Sequence, residues 1–249
     1  MTAPRTVPQT EVVIAVMARA PSEAGKTRLL DPMGVSDGTP LRRAILLDTL
    51  ETVARVEGVH RVVLYTPQAQ VAQFHDLLPG SYVLVPQRDG DLGDRMIGAF
   101  DDLRALGYHA AVVMGSDLPT LPERHLQMAV EHLRRTPDAV VIGPSADGGY
   151  NLIGLTRPAA SLFVDMPWST DAVARLTLER AAHLGLNGVL LPEWPDVDTP
   201  EDFGFALRQA GANDAGAARH TRAWLRTAPA SVQALLGLER PVCADGSER

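Results

Sequence analysis

The sequence has 249 residues, 45% of them hydrophobic, and a formal net charge of −7 at pH 7. This length and apolar content suit a packed α/β core, and the negative charge argues against a broad basic surface for nucleic acid or anionic membrane. A single cysteine, Cys243, excludes an internal disulfide, and no apolar run reaches the roughly 18 residues that span a bilayer. We therefore expect a soluble, cytoplasmic protein that meets any polyanion locally.

Short β-branched apolar runs along the chain predict six strands, whose continuous apolar character suits burial on both faces of a sheet. They cover residues 11–18, 61–66, 82–87, 110–115, 139–144 and 188–193. Segments with apolar residues three and four apart predict helices between them. The helices cover residues 41–56, 92–107, 121–135 and 169–185, with Ser169 and Thr170 as expected N-caps and Gly107 and Gly185 as ends.

This alternation predicts a single-domain α/β/α sandwich of three layers with a mostly parallel, Rossmann-like sheet. We assign residues 11–208 to that domain and residues 1–10, which lack the apolar segment of a signal peptide, to an N-terminal extension. Residues 209–249 are expected to add one helix near 216–226, and the last ten or so residues are expected to be loose. In such sheets ligands bind beyond the carboxyl ends of the strands, so the loops there are the place to search.

The opening loop, residues 20–30, contains Lys26, which is the only lysine of the sequence. The loop nearly matches the phosphate-loop pattern G-x-x-x-x-G-K-[ST], with Ala20 in place of the first glycine. A phosphate loop leads directly into a long helix, and the prolines and glycines of residues 31–40 leave no room for one. We expect instead an extended loop in which Lys26 and Arg28 point at one polyphosphate. A solvated basic loop is the alternative.

Residues 86–96, PQRDGDLGDRM, form the second unusual loop. Gln87 can both donate to and accept from the edge of a nucleobase. Gly90 and Gly93 would let the backbone approach a flat or anionic ligand. An ordinary connection with a glycine turn explains the same residues.

Two acidic loops predict a metal site. Asp117 lies just past the strand 110–115, and Asp196 and Asp198 lie in PDVDTPEDF, where Thr199 is an expected helix cap. Magnesium commonly takes one or two protein carboxylates while phosphates and water complete its coordination. We therefore predict that Asp117 and Asp198 hold Mg²⁺ or Mn²⁺, although Asp117 alone would suit a turn or cap equally well.

Two further loops suit a small acceptor molecule. Residues 146–155 contain Asp147, a pair of glycines and Tyr150 in succession, and Trp168 in residues 166–173 precedes an expected helix cap. Packing alone would account for either aromatic residue. Other chemistry has little support, because the histidines lack zinc spacing and both G-x-S-x-G and, after the first strand, G-x-G-x-x-G are absent.

Five motifs in fixed order give the chain a resemblance to a known superfamily: MARAPSEAGKTRLL, QRDGDLGDRM, GSDLPTL, GPSADGGYNLIGL and WPDVDTPEDF. The chain resembles the glycosyltransferase-A-like nucleotide-diphospho-sugar transferases over about residues 11–208. Its nearest branch is similar to the bacterial transferases related to phospholactate guanylyltransferase. Two departures are the missing G-G-x-G-x-R loop of sugar-activating enzymes, which puts a sugar 1-phosphate acceptor in doubt, and a single aspartate where many glycosyltransferases have D-x-D.

The resemblance implies roles for these residues. It assigns Lys26, Arg28 and Asp117 to catalysis and Asp117 and Asp198 to the metal. It assigns nucleotide binding to Ala18, Lys26, Arg28, Gln87, Gly90 and Gly93. It assigns acceptor binding to Asp147, Gly148, Gly149, Tyr150, Trp168 and Ser169.

The favoured reaction is magnesium-dependent nucleotidyl transfer from a nucleoside triphosphate to a small phosphorylated acceptor, with release of pyrophosphate. Glycosyl transfer from a nucleotide sugar is the alternative, and a catalytically silent nucleotide-binding module is a third reading. Nucleic acid and membrane insertion are not expected, and a homodimer is a possible assembly. The nucleobase and the acceptor stay open at this point.

Overall fold

The computed structural model describes residues 11–213 and 217–238. Seven strands form one sheet in the order β3-β2-β1-β4-β6-β5-β7. The strands are β1 (Val12–Arg19), β2 (His60–Thr66), β3 (Val83–Pro86), β4 (Ala110–Gly115), β5 (Ala139–Pro144), β6 (Tyr150–Leu155) and β7 (Asn187–Leu190). All neighbouring pairs are parallel except those of β6, which runs antiparallel to both β4 and β5.

Helices cover both faces of the sheet, which confirms the predicted α/β/α architecture. They are α1 (Thr27–Leu30), α2 (Thr39–Arg55), α3 (Val71–His75), α4 (Leu92–Ala105), α5 (Glu123–Arg135), α6 (Val173–His183), α7 (Pro200–Asn213), α8 (Arg219–Thr227) and α9 (Ala230–Leu235). Alternate residues of β1 face opposite layers: Val12, Ile14 and Val16 pack with α2 and α5, whereas Val13 and Ala15 pack with α4. No helix in the described part of the chain is long and apolar enough to cross a membrane.

The six predicted strands are confirmed, but β6 lies where the sequence predicted a loop. Its apolar residues are interrupted by Gly154, and glycine is a residue typical of turns. The structure gives that glycine a packing reason, since a Cβ there would lie 3.1 Å from the Leu133 side chain of α5. The short helix α1 also agrees with the expectation that no long helix follows Lys26.

The predicted N-caps of α6 are wrong. The helix begins at Val173 after Ala172, so Ser169 and Thr170 lie in the preceding turn. Ser169 has a φ of 65°, and the Thr170 hydroxyl donates to the Pro167 carbonyl at 2.8 Å. The expected ends are right: Gly107 and Gly185 follow α4 and α6 with φ angles of 95° and 67°.

Besides the two apolar clusters on the faces of the sheet, a third apolar cluster holds the C-terminal helices against the sheet domain. Leu29 and Leu30 of α1 and Leu41 of α2 pack there against Phe203 of α7 and Leu225 of α8. Helix α8 also crosses α2, and it confirms the helix that the sequence predicts near 216–226; α9 was not predicted. The predicted extension over residues 1–10 and the last ten residues, which were predicted to be loose, lie outside the described residues.

Candidate active site

Lys26 brings the opening loop to the two acidic loops. Its side chain is only 9% exposed, and its ammonium lies 3.0 Å from an Asp117 carboxylate oxygen and 3.5 Å from one of Asp198. The same ammonium donates to the Val197 carbonyl at 2.5 Å. Three residues chosen from separate loops of the sequence therefore meet at the carboxyl edge of the sheet.

The sheet topology explains this meeting. Asp117 follows β4, next to β1, whose carboxyl end leads into the opening loop. The segment that carries Asp198 is held beside it because the Val197 amide donates to the Asp117 carbonyl at 3.3 Å. Thr199 and Asp202 cap the start of α7: the Asp202 amide donates to the Thr199 hydroxyl at 3.2 Å, and the Thr199 amide donates to the Asp202 carboxylate at 3.0 Å. The predicted cap is confirmed.

Asp196 adds a further carboxyl group that the sequence reading left without a role. Burial, and then the negative charges of Asp198 and Asp147, raise its pKa to about 6. Negative charge is thus concentrated here, against the single ammonium of Lys26. Exposed carboxylate oxygens on Asp117 and Asp198, in a site with surplus negative charge, are a donor set that fits a hard divalent cation.

Another acid–histidine group lies elsewhere in the described residues. One ligand atom from each of Asp48, Glu51 and His220 lies within 4.8 Å of the others, so this group could also hold a metal ion. Its polar contacts, however, join α2 to α8. The Asp48 carboxylate accepts from two backbone amides at the start of α8, at 2.9 and 2.8 Å, and Glu51 pairs with Arg219 and His220. These contacts indicate that the Asp48–Glu51–His220 group caps the start of α8 and holds α8 against α2.

Two cavities open at the carboxyl edge of the sheet. The larger has a volume of about 410 Å³ and the smaller about 330 Å³. Both are lined by Arg19, Ser116 and Asp117, so Asp117 stands at their junction. Of the predicted site residues, the larger cavity is lined by Ala18, Gln87, Asp117, Asp147, Gly149, Tyr150, Trp168 and Ser169. The smaller is lined by Lys26, Arg28, Asp117 and Asp198.

Gln87 faces the larger cavity with half of its hydrogen-bonding capacity in use. Its amide nitrogen donates to the Leu64 carbonyl at 2.6 Å and to the Ala18 carbonyl at 3.3 Å. These two backbone acceptors fix the orientation of the amide, because only its NH₂ group can satisfy them. The Gln87 oxygen is left to accept from a ligand.

Gly90 and Gly93 do not line either cavity, and both have structural reasons to be glycine. Gly90 has a φ of 120° and precedes the capping box of α4, in which Asp91 and Asp94 exchange hydrogen bonds. A Cβ on Gly93 would lie 2.9 Å from the Phe163 carbonyl oxygen and 3.3 Å from the Trp168 indole nitrogen. Their placement gives no support to direct nucleotide contact, which stays a prediction.

The predicted acceptor loop is a tight turn between β5 and β6. The Asp147 carboxylate accepts from the Ser145 hydroxyl at 2.6 Å and from the Gly149 amide at 3.0 Å. Gly148 belongs to this turn but does not line the cavity, and its carbonyl accepts from the Ala174 amide of α6 at 3.0 Å. The turn is thereby joined to the segment that carries Trp168.

Trp168 and Tyr150 form the far wall of the larger cavity, with their rings edge to face at 6.3 Å. Burial raises the pKa of the Tyr150 phenol. The buried Trp168 indole nitrogen has no hydrogen-bond partner among the described residues. Packing and ligand contact, which the sequence left as alternatives, are therefore compatible at these two positions.

Three arginines that line the cavities were not among the site residues predicted from the sequence. Arg19 lines both cavities, Arg95 of α4 lines the larger and Arg42 of α2 the smaller. With 22 arginines in the chain, type and position alone did not single them out. Arg19 ends β1 and Arg95 lies in the QRDGDLGDRM motif, so a search restricted to strand ends and motif cations would have found these two.

The fold is a mostly parallel sheet with one antiparallel strand, and the site has an acidic pair at the carboxyl edge of that sheet. A solved structure shows which class of protein has this fold. The chain has a TM-score of 0.80 and 29% identity with a solved structure described as a nucleotide-diphospho-sugar transferase of Desulfovibrio desulfuricans G20, covering 91% of this chain and 98% of that one. This confirms the superfamily and the fold that the five motifs imply.

Sequence comparison narrows the class. A family model described as "Uncharacterized protein conserved in bacteria (DUF2064)" matches residues 49–170. The chain is 30% identical over 209 residues to a phosphoenolpyruvate guanylyltransferase of Conexibacter woesei, covering 82% of this chain and 90% of the relative. It is 29% identical over 133 residues to a 2-phospho-L-lactate guanylyltransferase of Methanothrix thermoacetophila, covering 53% and 56%.

The chain belongs to the family of these guanylyltransferases. It is a transferase of the nucleotidyltransferase class, in agreement with the reaction that the sequence favours.

Proposed function

We propose that this protein transfers a nucleotidyl group from a nucleoside triphosphate to a small phosphorylated carboxylic acid and releases pyrophosphate. The observation that carries the proposal is the contact of one ammonium, that of Lys26, with both Asp117 and Asp198 where the two cavities join. The named relatives make guanosine triphosphate the first donor to test, and phosphoenolpyruvate and 2-phospho-L-lactate the first acceptors. The single cysteine suits a cytoplasmic setting.

The smaller cavity suits the triphosphate. Four cations, Lys26, Arg28, Arg19 and Arg42, line this one space. Arg28 is exposed and free to fold over a bound polyphosphate with its planar fork, whereas Lys26 offers a compact charge on a flexible stem. Their role is to stabilise charge on the α-phosphate and on the departing pyrophosphate.

The larger cavity suits the base and the acceptor. The free oxygen of Gln87 can accept from a base donor such as the guanine N1–H group. At the other end, Ser169 lines the cavity, and its hydroxyl can donate to an acidic acceptor. An acceptor held between this wall and Asp117 would present a phosphate oxygen towards the triphosphate.

In the reaction, an acceptor phosphate oxygen forms a bond to the α-phosphorus of the donor while the bond to the pyrophosphate oxygen breaks. The protein contributes alignment and charge neutralisation, because no covalent intermediate with a side chain is needed. Asp117 and Asp198 would hold Mg²⁺, which when bound neutralises phosphate charge. Asp196 adds negative charge beside them and strengthens the preference of the site for a cation.

A product assay tests the reaction. The protein is incubated with each of the four ribonucleoside triphosphates, Mg²⁺ and either acceptor, and pyrophosphate and the new diphosphate linkage are followed by ³¹P NMR. We expect pyrophosphate release that needs both substrates and stops with EDTA. Release of nucleoside diphosphate from a nucleotide sugar, without pyrophosphate, would instead establish glycosyl transfer. Nucleotide binding without any product would establish a silent module.

Matched variants test the site. We expect Lys26→Ala and Asp117→Ala each to lower turnover by roughly two to three orders of magnitude, as when one charge-stabilising group is removed. Asp76→Asn is the control, because Asp76 is an exposed acid that follows α3 and lines neither cavity. Turnover at the parent rate in either site variant would contradict these assignments.

A further inference from the structure

Lys26 has a backbone conformation that needs support. Its φ and ψ angles are 58° and 35°, in the left-handed region that is unfavourable for residues with a Cβ. Such conformations persist where the surrounding structure holds them in place, and they are concentrated at functional sites. After Lys26, buried Leu29 and Leu30 anchor α1 in the third apolar cluster. The question is which group holds the chain before Lys26.

Arg42, near the start of α2, reaches across to this part of the opening loop. Its Nε donates to the Pro21 carbonyl at 2.9 Å, and a terminal nitrogen donates to the Gly25 carbonyl at 3.4 Å. Its other terminal nitrogen donates to the Thr39 hydroxyl at 3.3 Å, which fixes the guanidinium on its own helix. One planar group thus holds two carbonyls of the loop, and the second belongs to the peptide that joins Gly25 to Lys26.

The rest of the structure makes room for this contact. A Cβ on Gly38 would lie 2.4 Å from a terminal nitrogen of Arg42, so glycine keeps that space open. A separate set of contacts holds the earlier part of the loop: Gln73 donates to the Ser22 hydroxyl at 2.6 Å, and Gln70 donates to the Glu23 carboxylate at 2.8 Å. Those contacts end at Glu23. Arg19 donates to the Ala24 carbonyl at 3.3 Å, and Arg42 donates to the Gly25 carbonyl that follows.

We propose that Arg42 is a positioning residue that fixes the Gly25–Lys26 peptide and so places the Lys26 ammonium between Asp117 and Asp198. Its consequence for turnover rests on the proposed function; its effect on the placement of Lys26 does not. Lysine at position 42 cannot replace it, because an ammonium lacks the planar fork that meets two separated carbonyls.

The first test measures the placement of Lys26 directly. Because Lys26 is the only lysine, it supplies the only ε-amine of the chain. Acetylation by an N-hydroxysuccinimide ester, without nucleotide, is followed by mass spectrometry of the tryptic peptide of residues 20–28. We expect slow labelling in the parent and labelling about tenfold faster or more in Arg42→Ala, as when local opening of a segment becomes easier. Arg42→Lys should also label faster than the parent.

The controls separate placement from general damage. Arg226→Ala removes an exposed arginine of α8 and should label at the parent rate. Circular dichroism and urea unfolding report whether each variant is folded, and Arg42→Lys decides the question if Arg42→Ala does not fold. Direct binding of phosphate by Arg42 would leave labelling unchanged, since no nucleotide is present.

The second test follows the reaction. We expect Arg42→Ala to lower kcat/KM for the nucleoside triphosphate by roughly a hundredfold, the scale of a misplacement of about 1 Å, with KM for the acceptor unchanged. Added guanidinium should restore part of the activity to Arg42→Ala and none to Lys26→Ala. Parent-rate labelling in folded Arg42→Ala and Arg42→Lys would overturn the proposal whatever their activity. An inactive parent would overturn the proposed function only.

Discussion

Gly148 is a position at which a single added methyl group should disturb the proposed acceptor side of the site. It has a φ of 83°, and a Cβ there would lie 2.2 Å from the Asp171 carbonyl oxygen and 2.6 Å from the Asp171 carbonyl carbon. Both are backbone atoms, so a rotamer change cannot relieve the overlap. The segment ahead of α6, which includes Ser169, must therefore move in Gly148→Ala.

The expected cost has two parts. Alanine in a left-handed conformation costs about 1–2 kcal/mol, and forcing an extra methyl into packed structure costs about 1–3 kcal/mol. Reduced freedom of the unfolded chain returns only about 0.4–1 kcal/mol. We therefore expect Gly148→Ala to lower the free energy of unfolding by about 1–5 kcal/mol.

Gly185→Ala is the matched control. Gly185 has a φ of 67°, and a Cβ there would have no heavy atom within 4 Å, so this variant carries the conformational cost without the overlap. Urea unfolding of both variants gives the difference between them. Steady-state kinetics should show a raised KM for the acceptor in Gly148→Ala and an unchanged KM for the triphosphate. Equal stability of the two variants, with unchanged acceptor kinetics, would refute the reasoning.

Three further predictions concern stability. Asp48→Ala leaves two backbone amides at the start of α8 without their acceptor, so we expect urea unfolding to show a loss of about 1–3 kcal/mol. Burial lowers the pKa of His125, which is 1% exposed, so the unfolded chain binds a proton that the folded protein resists. Stability should then fall as the pH drops below about 6.5, by at most about 1.4 kcal/mol per pH unit for this group. His125→Leu should lack that share of the slope, whereas His75→Leu, at an exposed position, should keep it. Thr199→Ala removes the cap shared with Asp202 and should cost about 0.5–2 kcal/mol in the same unfolding assay, a value near zero being evidence against the cap.

Local patterns predicted most of the sheet and failed where a contact distant in sequence set the residue type. The parallel strands were readable because each is a short apolar run buried on both faces. Strand β6 was not predicted because Gly154 interrupts its apolar residues. A Cβ there would lie 3.1 Å from the Leu133 side chain of α5, a contact that no local pattern records. The same reason explains Gly93, whose neighbours are Phe163 and Trp168.

For the site, the sequence predicted which charged side chains take part better than it predicted which of them contact one another. A lone lysine and acids at strand ends were visible, and the structure brings Lys26, Asp117 and Asp198 together. Their direct contact depends on the strand order, which places β4 beside β1. Asp196 was visible too, but its raised pKa arises from burial and from neighbouring charges that only the folded chain supplies. Arg42 donates to backbone carbonyls, which every residue has. The sequence therefore cannot indicate which residues it contacts.

The reversed direction of β6 also bears on how this scaffold can diversify. A parallel strand contributes only the start of the connection that follows it to the carboxyl edge of the sheet. The β5–β6 hairpin places its whole turn, residues 145–149, at that edge. Both ends of the turn are anchored in adjacent, paired strands, so its length and composition can vary without rerouting the chain. Relatives with the same donor could therefore evolve towards different acceptors by exchanging one short segment, while the opening loop stays untouched.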